Sequence, residues 1–293
     1  MKKITLLVVA FALFMVNANA QEDLVSKKGY KILPEAGDIA FGVDFAPFIK
    51  TVNLNASNTA PSFDFGDQFT IFVKKYNTAD MAYRLKFAFN NFSQTDVNYV
   101  TDESVLAPTP EDQIADKGKF SYTQAMLSLG VEKRRGHNRL QGYYGADVFL
   151  FYFNGLASDM NFKGTYGNEF SSDNANPVST NFVGALNGYR TATYKSGGML
   201  GFGARAFIGA EYFIAPKISI GGELGWGLGY GLGMDGYQID EEWDPVAGEV
   251  KATKVKTGRA NQFMFGSDSS SQGFFENNGW LGLGGNINLI FHF

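Results

Sequence analysis

The sequence predicts an all-β protein, an eight-stranded antiparallel transmembrane β-barrel with long extracellular loops. Apolar residues recur at every second position in segments throughout the chain, a spacing typical of strands with one apolar face. Short connections alternate with long ones, as in barrels that span a membrane. Glycine supplies 35 of the 293 residues and aromatic residues 15%. That composition suits a sheet with one large apolar face and one small or polar face.

The chain begins with an export signal. Lys2 and Lys3 precede an apolar run over 4–16, and Ala18-Asn19-Ala20 has the small-x-small pattern that signal peptidase cleaves. We therefore assign 1–20 to a signal peptide. A periplasmic N-terminal segment over 21–37 and a barrel over 38–293 complete the expected domain organisation.

Composition excludes several functions. The chain has no cysteine, so disulfides, thiolate metal sites and a lipoprotein anchor are excluded. Cleavage of the signal peptide removes Lys2 and Lys3, which changes the formal charge from -4 to -6. An acidic chain of this kind is not expected to bind nucleic acid. No cofactor is expected.

Eight segments carry the strand pattern. They are 38–47, 63–75, 81–92, 120–132, 140–153, 197–215, 218–234 and 279–293. The last segment shows the strand pattern clearly, because Leu281, Leu283, Ile287, Leu289 and Phe291 share one parity, and it ends at Phe293. A hairpin within 154–196, around 162–166 and 182–189, would raise the count to ten.

The connections predict the orientation. Those over 76–80, 133–139 and 216–217 are short, whereas 93–119 and 235–278 are among the long ones. Membrane barrels have short periplasmic turns and long extracellular loops. Both termini are therefore expected in the periplasm of a Gram-negative bacterium, with the strands crossing its outer membrane.

A soluble eight-stranded barrel would show the same alternation with its apolar face inside. Its interior holds only modest side chains or one small ligand. Several Phe, Leu, Ile, Tyr or Trp residues from each strand would overfill that space, and volume therefore favours the membrane interpretation.

Charged residues on the opposite parity predict a polar interior. They are Asp44, Lys74, Arg84, Lys86, Glu132, Asp147, Arg205, Glu211 and Glu223. Buried charges must be paired, so a plug of ion pairs is the first interpretation. A narrow polar path is the alternative, for which glycines would leave space. These glycines form an arc on the interior face and are Gly201, Gly203, Gly209, Gly221, Gly231, Gly282 and Gly284. The large inward residues Tyr143, Phe149, Phe207 and Trp280 could fill the same space.

Catalysis is not expected. His137 and His292 are the only histidines, and both are predicted at the periplasmic end. Small barrels that modify lipids need a histidine with a carboxylate or serine near the outer rim. A candidate Ca²⁺ or Mg²⁺ site, whose spacing fits no EF-hand loop, is formed by the carboxylates Asp240, Glu241, Glu242 and Asp244.

In architecture the mature chain resembles the small outer-membrane barrels of the OmpA, OmpX and opacity type. The stretch Ile32-Leu33-Pro34-Glu35-Ala36-Gly37-Asp38, followed by Gly42, Asp44, Pro47 and Phe48, also resembles a group of uncharacterised outer-membrane proteins. The resemblance implies assembly into the outer membrane and carries no catalytic residues.

We therefore expect a non-enzymatic outer-membrane barrel that is structural, adhesive or an accessory subunit and presents long loops outward. A narrow porin-like channel for small solutes is the first alternative, and a lipid-active enzyme is the second. The expected partners are outer-membrane lipid and lipopolysaccharide, with an outer-membrane partner protein also open.

Overall fold

The computed structural model describes residues 24–44, 69–136, 138–156, 158–183, 189–267 and 286–293. The predicted signal peptide, His137, Trp280, Gly282 and Gly284 lie outside the described residues. Within the described ranges, thirteen strands form one antiparallel sheet. No helix in these ranges has the length and hydrophobicity needed to cross a membrane.

Eight of the thirteen strands form a closed ring. The ring runs β1, β2, β3, β4, β5, β8, β9 and β13, and β13 pairs with β1 again. These strands are Ile39–Asp44, Phe69–Thr78, Met81–Thr101, Gln113–Arg135, Leu140–Asn154, Met199–Ala215, Ile218–Gly233 and Asn286–His292. The predicted all-β class and the eight-stranded ring are confirmed, with one ring strand in each predicted segment.

The remaining five strands lie in connections that the sequence predicted as loops. These are β6 Asn161–Thr165, β7 Arg190–Lys195, β10 Asp235–Asp244, β11 Glu249–Gly258 and β12 Gln262–Ser267. The alternative count of ten ring strands is wrong. Of its predicted hairpin, the strand around 162–166 coincides with β6, whereas β7 begins at Arg190, after the predicted second strand around 182–189. The connection over 154–196 does contain two strands, but they pair outside the ring.

A second part of the sheet, which we call the outer sheet, grows from the far end of the β3–β4 hairpin. Both strands run beyond the predicted limits at Phe92 and Phe120, since Gln94 to Thr101 pairs with Gln113 to Phe120. The outer sheet continues from β4 through β6, β7 and β10 to β11. Separately, β12 pairs with β9 beside residues Trp226 to Gly231.

The ring is built with its apolar residues outside. On β3, the side chains of Tyr83, Leu85, Phe87 and Phe89 are exposed, whereas the alternate residues Arg84 and Lys86 are buried. Because successive strand residues point to opposite faces, the interior receives the small, charged and inward aromatic residues. The same pattern holds on β4, β5, β8 and β9.

Candidate functional site

The interior of the ring holds a network of buried charges in two linked groups. The first group lies near the start of β9 and joins β2, β4 and β8. Lys74 Nζ lies 2.9 Å from Glu132 Oε2 and 3.4 Å from Glu211 Oε2. Arg134 Nη2 lies 3.0 Å from Glu211 Oε2, and Arg134 Nη1 donates to the hydroxyl of Tyr76. Arg134 Nη1 also lies 3.5 Å from Glu132 Oε1. The Lys74 ammonium and the Arg134 guanidinium therefore share the carboxylates of Glu132 and Glu211.

The second group centres on Glu223 of β9. Arg205 Nη2 donates to Glu223 Oε1 over 2.6 Å, and Arg84 Nη2 lies 2.8 Å from Glu223 Oε2. Lys86 Nζ lies 3.6 Å from Glu223 Oε1. Arg205 also reaches Asp147 Oδ2 at 3.3 Å, from the residue directly opposite it in the β5–β8 register. The Glu223 carboxylate therefore contacts three cations, one of which also pairs with Asp147.

Arg84 links the two groups, because its Nη1 lies 3.6 Å from Glu132 Oε2 while its Nη2 faces Glu223. Its guanidinium also lies 4.0 Å from the centre of the Phe207 ring, within the range of a cation–π contact. All the predicted network residues except Asp44 meet in this network. Asp44 lies on β1 opposite Asn288, and its side chain lies outside the described part of the chain.

Sequence reasoning missed Arg134. It assigned this residue to a basic turn over 133–139, but β4 continues to Arg135 and buries Arg134 in the first group. The signal was present, since Arg134 shares the parity of Glu132. A strand that extends two residues further would have placed it inside.

His292 is predicted at the periplasmic end, and the structure gives it two hydrogen-bond partners. Its Nε2 lies 3.1 Å from Ser219 Oγ and 3.0 Å from Glu211 Oε1, and Ser219 Oγ donates to the same carboxylate oxygen. A catalytic triad places the serine and the acid on opposite ring nitrogens. Here both meet Nε2, His292 Nδ1 has no partner among the described residues, and Ser219 is fully buried. The geometry is that of an internal hydrogen-bonded cluster.

The glycines of β8 accommodate aromatic rings from β5. Phe151, Phe149 and Tyr143 lie directly opposite Gly201, Gly203 and Gly209 in the register. A Cβ atom added at Gly203 would lie 2.3 Å from the Phe149 ring, and one at Gly209 would lie 2.3 Å from Tyr143. The predicted glycine arc is therefore filled wherever these pairs occur. The space between Lys86, Asp147 and Arg205 is too narrow for a water molecule.

The segment before β1 covers one end of the interior. Ile32 and Leu33 are buried against Phe213, an inward residue near the end of β8. The backbone amide of Lys217 donates to the Ile32 carbonyl over 3.1 Å, and the side chain of Lys217 pairs with Asp38. The Phe213 ring lies 5.1 Å from that of His292. An apolar cap therefore closes the end nearest the first charge group.

The four carboxylates considered for a metal do not converge. Asp240 accepts from Thr191, Glu241 pairs with Arg190, and Glu242 pairs with Lys251. Asp244 accepts the amides of a tight turn, which hold its pKa below the usual range. Alternation places Glu241 on the face opposite Asp240 and Glu242, and each of the four carboxylates is engaged by a different local partner. No group of three potential ligands suited to a metal occurs among the described residues.

A long segment that follows β6 packs on the outer sheet. Asp116 of β4 is fully buried, and its carboxylate accepts the amides of Gly167 and Thr180 at 2.8 and 2.6 Å. Burial raises the pKa of Tyr166 to about 12. Tyr166 therefore stays protonated and donates to the Thr191 carbonyl over 2.6 Å. These bonds hold the segment in a defined place.

No family model and no curated protein matches the chain. Similar solved structures include the outer membrane protein OprG from Pseudomonas aeruginosa, with 13% identity over 89% of this chain and 98% of that chain and a TM-score of 0.34. A major outer membrane protein from Thermus thermophilus has 13% identity over 87% of this chain and 98% of that chain, with a TM-score of 0.33. At these values neither likeness carries an argument about function, which has to come from the chain's own residues.

Proposed function

We propose that the protein is an integral outer-membrane β-barrel with a plugged lumen, whose role is to present the outer sheet at the cell surface. One observation carries this proposal: the ring is apolar outside and charged inside. Leu129, Phe202 and Trp226 are 57%, 55% and 51% exposed, whereas Arg205 and Glu211 are 3% and 0% exposed. In water such an exterior would form an apolar patch far larger than soluble monomers expose. A lipid environment removes the free-energy cost of exposing this apolar surface to water.

The height of the apolar exterior supports a full crossing. On β9, exposed apolar residues recur from Ile220 to Leu232, about 40 Å along a strand. A strand tilt of about 40° reduces this to roughly 30 Å, which matches the hydrocarbon thickness of a bilayer. The belt is therefore tall enough to span a membrane.

The predicted signal peptide supports export, and the outer membrane is the place where bacteria insert barrels of this type. The short connections between β2 and β3, β4 and β5, and β8 and β9 lie at one end of the ring. The outer sheet grows from the other end. This division supports a periplasmic position for both termini and an extracellular position for the outer sheet.

The packed interior supports a non-enzymatic and non-conducting role. The ion pairs Lys74–Glu211 and Arg84–Glu223 cross the ring at two levels, aromatic rings occupy the glycine spaces, and the cap over Phe213 closes one end. What remains accessible is the outer sheet. A structural, adhesive or accessory function would use that surface.

Single-cysteine labelling tests the location and orientation, because the natural chain has no cysteine. Val246→Cys, in the exposed turn between β10 and β11, and Lys27→Cys before β1 would be treated with a membrane-impermeant maleimide in intact cells. We expect label on Val246→Cys only, with Lys27→Cys reacting after lysis. Labelling in the reverse order, or recovery of the protein in the soluble fraction, would overturn the proposal.

Planar-bilayer recordings test the plugged lumen. The purified full-length protein should insert and produce no conductance steps. Reproducible steps would instead assign it to the narrow channels. Release of fatty acid or transfer of an acyl chain from labelled phospholipid or lipopolysaccharide would show enzymatic activity and contradict the non-enzymatic role.

A further inference from the structure

The outer sheet has two unlike faces. One face is covered by the segment that follows β6, where the ring of Phe182 lies 5.8 Å from that of Phe162 and 6.4 Å from that of Phe120. The other face carries lysines on four strands. They are Lys117 and Lys119 on β4, Lys163 on β6, Lys195 on β7, and Lys254 and Lys256 on β11.

The strand register places these lysines on one face. Lys119 lies directly opposite Lys163, which lies opposite Thr193. The same row continues through Ile239 to Lys254. Residues directly opposite one another share a face of the sheet, so the row is continuous from β4 to β11.

Neighbouring rows extend the same face. Lys195, Tyr237 and Lys256 form the next row, and the Lys254 ammonium lies 4.0 Å from the Tyr237 ring. Lys117 lies two residues beyond Lys119 on β4, which keeps it on the same side of the strand. Together these six lysines define what we call the lysine face.

The lysine face has few counter-charges. Glu241, two residues beyond Ile239 and of the same parity on β10, is already paired with Arg190, and Asp235 lies opposite Gly258 at the end of the ladder. The residues in the two rows include no aspartate or glutamate, and none of the six lysines forms an ion pair with another described residue. Lys251, near the tip of the same hairpin, does pair with Glu242 at 3.2 Å. Like charges placed directly opposite, as at Lys119 and Lys163, destabilise a sheet. An external anion would remove that repulsion.

The position of the face indicates which anion. On β4, Lys117 and Lys119 share the parity of Leu127, Leu129 and Val131, which face outward from the ring. Phe89 and Tyr152, both opposite Ala125, form the upper part of the belt there. From Ala125 to Lys119 the strand rises about 20 Å along its length, or about 15 Å in height at a tilt of about 40°. The lysine face therefore continues the lipid-facing surface upward into the headgroup layer.

We propose that the lysine face binds the phosphate groups of lipopolysaccharide in the outer leaflet, while its acyl chains lie on the apolar belt below. This inference rests on the proposed function, since it requires the ring to sit in the outer membrane. Ammonium groups are strong point charges for phosphate, and clustered basic residues beside a membrane attract anionic headgroups. The four strand spacings from β4 to β11 cover about 19 Å, wide enough for several phosphates of one glycolipid.

The test uses the full-length protein purified in mild detergent and titrated with lipopolysaccharide, with binding read by native mass spectrometry. The substituted protein carries Lys119→Gln, Lys163→Gln and Lys254→Gln. A matched control carries Lys27→Gln, Lys75→Gln and Lys133→Gln, which remove the same formal charge far from the outer sheet. Each protein is also titrated with lipopolysaccharide stripped of its phosphates and with the phosphorylated core oligosaccharide released from its lipid.

We expect the wild type and the control to bind intact lipopolysaccharide more tightly than either altered form. The triple substitution on the lysine face should weaken binding by between about tenfold and about 100-fold and remove the preference for phosphate. Equal weakening in the control, an unchanged preference in the substituted protein, or equally tight binding of the lipid-free oligosaccharide would overturn the inference. Flotation of the wild type with phosphatidylcholine vesicles tests membrane insertion separately, so failure there would count against the proposed function instead.

Discussion

Removal of Glu223 should destabilise the ring more than removal of any surface carboxylate. Its carboxylate lies 2.6 Å from Arg205 Nη2, 2.8 Å from Arg84 Nη2 and 3.6 Å from Lys86 Nζ. Glu223→Gln keeps the size of the side chain and removes the charge. Breaking a buried ion pair in this way costs about 3–5 kcal/mol, which corresponds to a factor of roughly 150 to 4,500 in the unfolding equilibrium.

The charge balance of the network explains this magnitude. The described network contains five cations and four carboxylates, and Glu223→Gln leaves three carboxylates. The cations are Lys74, Arg84, Lys86, Arg134 and Arg205, and the carboxylates are Glu132, Asp147, Glu211 and Glu223. A second change, Lys86→Gln, lowers the excess positive charge again. The double variant should therefore recover part of the lost stability.

Urea unfolding of the protein in lipid vesicles, followed by tryptophan fluorescence, measures the effect. Glu249→Gln on exposed β11 is the control and should change the free energy of unfolding by less than about 0.5 kcal/mol. A loss below about 1 kcal/mol for Glu223→Gln, or no recovery in the double variant, would refute the claim that Glu223 neutralises the centre of the ring.

Single positions elsewhere in the chain give three further predictions. Gly203→Ala should lower the free energy of unfolding by about 1–3 kcal/mol in the same urea assay, because its Cβ would lie 2.3 Å from the facing phenylalanine ring. The control Gly258→Ala, whose Cβ would have its nearest neighbour 3.7 Å away, should lower it much less, and equal losses would contradict the steric argument. Leu129→Arg on the outward face should cost about 2–4 kcal/mol in vesicles, whereas Val97→Arg, on the extended part of β3, should cost little; similar costs would place the two sites in the same medium. Asp116→Ala removes the acceptor of two backbone amides and should speed chymotrypsin cleavage at the aromatic residues between β6 and β7, such as Phe170 and Phe182, without changing unfolding of the ring, as read on gels.

The ring strands were predictable because their outward and inward positions differ strictly in composition. Every outward position of β3 from Tyr83 to Phe89 is apolar and every inward position is small or polar. The outer sheet lacks this constraint. On β11, Glu249–Gly258, nearly every residue is exposed, so no apolar face signals a strand. Pairing with β10 makes it one.

The sequence predicts which residues face the interior of the ring, but not which of them lie opposite one another on neighbouring strands. Alternation alone places Lys74, Arg84 and Glu223 inside, but it does not say which strands bring their charges together. It also cannot decide whether a glycine leaves a gap or receives a neighbour. The pairs Phe149 with Gly203 and Phe151 with Gly201 depend on cross-strand register, which the sequence pattern of one strand does not contain.

The buried charges have a physical consequence for folding as well as for the lumen. A shift of one residue in any pair of strands moves every side chain to the opposite face. Such a shift on β3 would carry Arg84 and Lys86 to the apolar exterior, which the proposed function places in lipid, and bring Leu85 and Phe87 inside. Charges at the bilayer centre cost several kcal/mol each, and their carboxylate partners would be left unpaired. An ion-pair network adds little net stability compared with an apolar core, but here it makes the wrong registers far less stable than the native one. The charges that fill the lumen therefore also select the arrangement of strands that closes it.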